Sequence, residues 1–175
     1  MAFCFLYPHL NTFLSYYVSV LSFRKGEYMA LDTRELFARL IKCEAGGEGD
    51  DGMRAVASVI INRAQSISGE FARVSNGGDV RAIITQPCQF VCLKETVGGE
   101  YNPQNVYNIT PDDVHYEIAD WALSGNTASS VGNSIFFFNP YSPTCPRNFP
   151  SNVGIIYNRV GDHCFYAPTN AYANT

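Results

Sequence analysis

The clearest opportunity for chemistry in this chain is a carboxylate set at the end of an apolar helical stripe. In Cys43-Glu44-Ala45-Gly46-Gly47-Glu48-Gly49, Glu44 follows Phe37, Leu40 and Ile41 at helical spacing. A carboxyl held there is partly desolvated, and desolvation raises its pKa. An acid still protonated near neutral pH is what general-acid cleavage of a glycosidic bond requires. The competing reading is a helix end whose acid simply turns to solvent. Glycines on both sides of Glu48 argue for close backbone approach and tilt the balance towards a site. Glu48 itself is expected to order the loop or to bind substrate.

Thiol chemistry is the second option: Cys43 or Cys164 as nucleophile, with His115 or His163 as base, would attack an amide. Cys43 neighbours Glu44 on the helix and is expected to face another side, so the two would not share one cleft equally. The chain has 6 cysteines. Without Cys4, those left are Cys43, Cys88, Cys92, Cys145 and Cys164, an odd number with no C-x-x-C pair. Cys88-x3-Cys92 is a weak ligand spacing, so no metal and no cofactor is expected. Plain buried thiols or cross-links to other proteins account for the cysteines better, and pairing does not follow from spacing.

Several elements must position these groups. Asp32-Thr33-Arg34-Glu35 resembles a capping box and opens a helix that carries Glu44 and ends at Gly46-Gly47. After Asp50-Asp51, the residues Met53, Val56, Ala57, Ile60, Ile61 and Ala64 hold the strongest helical period in the chain. A shorter helix is predicted over Asp79–Ile84, stopped by Pro87. Another is predicted from Thr110 as N-cap and Pro111 at the first helical position, through Val114, Ile118, Trp121 and Ala122, to Gly125. Ser134–Phe138, Ile155–Val160 and His163–Tyr166 read as short strands. The segments 66–79, 93–109 and 139–153 read as irregular loops. The expected architecture is α+β, with N-terminal helices followed by a small antiparallel sheet.

The 175 residues favour one sizeable domain over two. A net charge of −4, with only 16% charged residues, disfavours electrostatic capture of nucleic acid. Residues 1–28 differ from the rest. Met1 to Phe23 contains no Lys, Arg, Asp or Glu, yet Pro8, His9 and Asn11 break its apolar run. The unbroken part is shorter than the roughly 20 apolar residues that a membrane span needs. The positive charges Arg24 and Lys25 follow the run, where a secretory signal would place them first. Lys25-Gly26-Glu27 can be encoded by a purine-rich stretch like a bacterial ribosome-binding site, one codon before Met29. The expectation is therefore that 1–28 is an extension arising from a mis-assigned start, that Met29 is the true start, and that 29–175 is a single catalytic domain.

The run from Ala38 to Arg63 closely resembles the spore cortex-lytic cell wall hydrolases of the SleB/CwlJ kind. It carries Glu44-Ala45-Gly46-Gly47-Glu48 as their E-A-x-G-E element, Gly52-Met53-Arg54-Ala55-Val56-Ala57 as G-x-x-A-V-A, and Asn62-Arg63 as the closing N-R. Further on, Gln86-Pro87-Cys88-Gln89-Phe90 is similar to their P-G-Q-F, Phe138-Asn139-Pro140 to aromatic-Asn-Pro, and Gly161 to Tyr166 to the terminal G-x-H-x-F. The likeness spans about residues 36–168. Cys88 stands where the family usually has glycine, which calls into question whether that turn takes a positive φ.

The resemblance implies a lysozyme-like fold related to lytic transglycosylases, acting on the glycan strands of spore cortex peptidoglycan during germination. It implies Glu44 as general acid and then base, with the muramyl 6-hydroxyl able to attack in place of an enzymic nucleophile. By motif position, Glu48, Gln89, Phe90, Asn139, Tyr141 and His163 line the cleft. Without a convincing signal peptide the chain is closer to the CwlJ-like branch, which implies a mother-cell protein deposited in the spore coat or cortex, with coat proteins as partners. In that setting the thiol alternative becomes an amidase or peptidase on the peptide stem. A third reading is a non-catalytic, coat-resident glycan binder using Phe136, Phe137, Phe138, Tyr141, Phe149, Tyr157 and Tyr166, most of which are expected in the core.

Overall fold

Helix α1 (Thr33–Ala45) begins where the Asp32 side chain accepts the Glu35 amide at 2.7 Å, as the capping pattern predicts. This computed structural model describes residues 31–175. The N-terminal extension, the proposed start at Met29 and Cys4 all lie outside the described residues. The buried face of α1, Leu36, Phe37, Leu40 and Ile41, packs on α2 (Gly49–Ala64) and on α5 (Asp113–Leu123).

Helix α2 is the centre of the fold. It touches α1, α3 (Gly69–Ser75), α4 (Val80–Thr85), α5 and strands β3 (Phe136–Phe138) and β4 (Gly154–Val160). A helix surrounded in this way is apolar nearly all round, and from Ala55 to Ile61 every residue of α2 is buried.

The sheet is antiparallel in the order β3-β5-β4, with β5 (His163–Pro168) central. Phe136, Phe137 and Phe138 pair with Tyr166, Phe165 and Cys164. Strand β4 runs from Gly154 opposite Pro168 to Val160 opposite His163, with a bulge between Ile156 and Asn158. The three expected strands are all present within a residue or two of their predicted ends. Cys145 and Cys164 form a disulfide that ties the 139–153 loop to the central strand. This pairing corrects the expectation of plain thiols or external cross-links at these two positions.

Three further differences have physical causes. The segment 66–79 contains α3, held from a distance: the Phe71 amide donates to the Tyr172 hydroxyl at 2.9 Å. The segment 93–109 contains a two-residue hairpin, β1 (Thr96–Val97) with β2 (Glu100–Tyr101), turning at Gly98-Gly99. The N-cap of α5 is Asp112 rather than Thr110, because the Asp112 amide donates to His115 Nδ1 at 3.0 Å. Lys42 Nζ clamps this start to α1 through the Thr110 carbonyl at 2.9 Å and Asp112 Oδ2 at 2.7 Å.

Candidate active site

Glu44 projects from the last turn of α1, one residue before the buried Ala45. It keeps some exposure, yet protein crowds around its carboxyl on most sides. Burial pushes its pKa up to about 7, against two weaker influences that favour the charged form. One is the Cys92 thiol, which donates to Oε1 at 3.6 Å. The other is the positive charge of Arg63. Desolvation wins, so the carboxyl is poised near neutrality, where a general acid is most effective.

Cys92 is brought there by a single 3-10 turn, Val91–Leu93. Two buried asparagines hold that turn. Asn102 Nδ2 donates to the carbonyls of Val91 and Lys94 at 3.0 Å each, and Asn105 Nδ2 donates to Lys94 at 3.1 Å. Sequence reasoning missed both residues, because an asparagine in a loop carries no signal of which backbone it will grip.

Arg63 closes the N-R element of the sequence, and nothing in its spacing marks it as part of the site. Fully inside the protein, it donates through Nε to the Ile135 carbonyl at 2.7 Å. Its guanidinium lies over the rings of Phe71, Phe90 and Phe137 at 4.7, 5.5 and 5.9 Å. Burial lowers its pKa to about 10, which leaves it charged at physiological pH. The aromatic faces supply the attraction that replaces water around the cation.

Glu48 stands at the N-cap of α2 and reaches the β4–β5 turn. Its Oε2 accepts the Asp162 amide at 2.7 Å, and its Oε1 lies 3.4 Å from His163 Nδ1. His163 is buried between Phe137 and Phe165, and burial lowers its pKa, with Glu48 opposing. Both residues thus lock the first turn of α2 to the hairpin.

The remaining motif residues fall in different surroundings. Phe90 is 2% exposed and forms a wall of the Arg63 cage, so its ring is not offered to a ligand. Gln89 carries a buried Oε1 that meets no hydrogen-bond donor. Asn139 Oδ1 accepts the Tyr141 amide at 2.7 Å, and Tyr141, 94% exposed, stands out on the loop after β3. Of the other aromatics, Phe136, Phe137 and Tyr166 are core, and Phe138 and Phe149 pack on Tyr166. The turn at Cys88 does take a positive φ, of 66°, without its glycine.

One of the two thiol candidates is corrected. Cys164 is oxidised in the disulfide and cannot act as a nucleophile, while Cys43 is a free thiol and His115 spends Nδ1 on the cap of α5. Cys43 and Glu44 do share one place after all: Cys43 Sγ, a Glu44 carboxylate oxygen and Cys92 Sγ lie within 4.8 Å of one another. Neighbours on a helix are about 100° apart, but Cys92 enters from another segment between them.

With this geometry in hand, comparison with known proteins identifies the family. Residues 47–166 match the family described as Cell Wall Hydrolase. The chain belongs to that family. This cell wall hydrolase is similar to cell wall hydrolase CwlJ of Bacillus subtilis (strain 168), 30% identical over 135 residues, covering 77% of this chain and 84% of that protein. It is similar also to CwlJ of Oceanobacillus iheyensis, 31% identical over 140 residues, covering 78% and 87%. Among solved structures it is similar to the catalytic domain of the Bacillus cereus SleB protein, with a TM-score of 0.55 and 26% identity over 76% of this chain and 88% of that one. The catalytic domain of the germination-specific lytic transglycosylase SleB from Bacillus anthracis gives a TM-score of 0.54 at 24% identity, over 78% and 96%. The expected lysozyme-like α+β fold is thus the observed one. The family match starts just after Glu44. Among the described residues, no helix is long and apolar enough to cross a membrane.

Proposed function

We propose that this cell wall hydrolase cleaves the glycan strands of spore cortex peptidoglycan during germination, with Glu44 as general acid and base. The observation that carries the reading is a carboxyl held near pH 7 by burial while still reachable from solvent. Protonated Glu44 gives its proton to the glycosidic oxygen as the bond to muramyl C1 breaks. The resulting carboxylate takes the proton of the muramyl 6-hydroxyl as that oxygen bonds to C1, which closes a 1,6-anhydro ring and returns Glu44 to its acid form. No second carboxylate is needed, and Glu48, the other acid of the stretch, is committed to the Asp162 amide and His163.

Asn139 and Tyr141 on the loop after β3, with Gln89, are the groups assigned to hold the sugar. Glu48, Phe90 and His163 act behind them as supports. The similarity to CwlJ proteins and to a germination-specific lytic transglycosylase supports the choice of cortex as substrate. The spore coat or cortex is the proposed place of action, with coat proteins as the proposed partners.

Digestion of purified cortex by the wild type and by Glu44→Gln, with fragments read by mass spectrometry, tests this. Anhydro-muramyl ends that disappear in the variant are expected. Free stem peptides that persist in Glu44→Gln would overturn the glycosidase reading and return attention to Cys43.

A further inference from the structure

We propose that Cys43, Glu44 and Cys92 form a binding site for a thiophilic divalent cation, of which Zn2+ is the natural probe, and that its occupancy blocks the enzyme by engaging the catalytic carboxyl. The inhibitory half of this proposal rests on the reading of Glu44 as the acid; the binding half does not.

Geometry is the first argument. Zinc takes thiolates at about 2.3 Å and carboxylate oxygens at about 2.0–2.2 Å in tetrahedral sites. At a tetrahedral angle those lengths place a sulfur and an oxygen ligand about 3.6 Å apart, and Cys92 Sγ lies 3.6 Å from Glu44 Oε1. The third donor, Cys43 Sγ, completes a cluster whose atoms all fall within 4.8 Å of one another. Three ligands from two segments, with the fourth position open to water, is an arrangement seen at accessible zinc sites.

The ligand chemistry is the second argument. Two thiolates and one carboxylate suit zinc and softer ions, and exclude the hard cations that demand an oxygen shell. On binding, both thiols and, where it is protonated, the Glu44 carboxyl release their protons to solvent, and the metal takes the place of the hydrogen bond between Cys92 and Glu44. Three ionised ligands around a divalent ion carry one excess negative charge. The Arg63 guanidinium, which acts electrostatically on Glu44, offsets it.

Access is the third argument. Cys43 lines an open pocket of about 570 Å³ together with Gln104, Asn108, Ile109 and Thr110. Lys42 also lines it, but its ammonium is occupied by Asp112 and the Thr110 carbonyl. A cation can reach Cys43 from this side without passing through the core.

Binding is read spectroscopically on the full chain, reduced, treated with chelator and titrated with Co2+ in place of Zn2+. A thiolate-to-cobalt charge-transfer band saturating at one ion per chain is expected, displaced by Zn2+. Cys43→Ser should weaken Co2+ binding at least tenfold. In parallel, Zn2+ should abolish cortex cleavage by the wild type, with recovery on adding chelator, and should need a correspondingly higher concentration in Cys43→Ser. Absence of the band, or a band unchanged in Cys43→Ser, overturns the site. Normal binding with undiminished cleavage overturns the inhibition. Normal binding by a chain that cleaves no glycan when metal-free leaves the site standing and removes only the reading of Glu44 as the acid.

Discussion

Cys92 Sγ donates to Oε1 of Glu44 at 3.6 Å, the one direct hydrogen bond among the described residues that the carboxyl receives from another side chain. A donor to the charged form favours ionisation, so this thiol works against the burial that raises the Glu44 pKa to about 7. Removing it in Cys92→Ala should raise that pKa further, by roughly half a unit to one unit for a bond of ordinary strength. Because the acid is active when protonated, the alkaline limb of kcat/KM on soluble cortex fragments should move to higher pH. A limb that stays in place would mean that Glu44 is not the group titrating there.

The same carboxyl ties stability to pH. Between its ordinary value of 4.5 and about 7, the folded chain retains a proton that the unfolded chain has released. Stability from this group is therefore complete below pH 4.5 and declines as pH rises through about 7. At about 1.4 kcal/mol per unit the loss approaches about 3 kcal/mol. Glu44→Gln cannot ionise, so it should unfold at higher urea concentration than the wild type at pH 8 and at nearly the same concentration at pH 4. Parallel pH profiles for the two proteins would show a carboxyl that is not desolvated.

Cys88 holds φ at 66° although it has a side chain. That conformation costs a residue other than glycine about 1–2 kcal/mol, while glycine's extra freedom in the unfolded chain returns up to about 1 kcal/mol. Cys88→Gly should gain about 0.5–1 kcal/mol in denaturant unfolding. A loss of stability instead would mean that the thiol's own contacts outweigh the backbone strain.

Much of the frame could be read directly from residue patterns. Asp32 and the stripe through Ile41 announce α1, and the 3.6 period from Met53 to Ala64 announces α2, because these signals are local. The acid at the end of the stripe followed from the same periodicity. What stayed hidden depends on partners distant in the chain. Helix α3 needs Tyr172 to hold its first turn, the start of α5 is clamped to α1 by Lys42, and Cys92 meets Cys43 across a long excursion of chain. Spacing within the sequence is blind to all three. Arg63 shows the limit most plainly: an arginine in an apolar helix looks like an outward-facing residue until three rings from other parts of the chain enclose it.

Glu48 and Gly161 are fitted to each other, and their fit secures the join between α2 and the hairpin that carries His163. A Cβ built on Gly161 would lie 2.1 Å from Glu48 Oε2, and Gly161 also holds φ at 57°. Gly161→Ala therefore meets two obstacles at once. The backbone must enter the left-handed region at about 1–2 kcal/mol, and the carboxylate must withdraw from the Asp162 amide it now accepts at 2.7 Å. A hydrogen bond to a charged group contributes about 1.5–3 kcal/mol, so the combined loss should be about 2.5–5 kcal/mol in denaturant unfolding. Glu48→Gln keeps an acceptor oxygen of the same reach and should lose only about 1 kcal/mol. If the two variants lost equal stability, the charge on Glu48 rather than the space left by Gly161 would be what holds the turn. If Gly161→Ala lost none, the turn would have another way to close, and Glu48 would be available to the substrate.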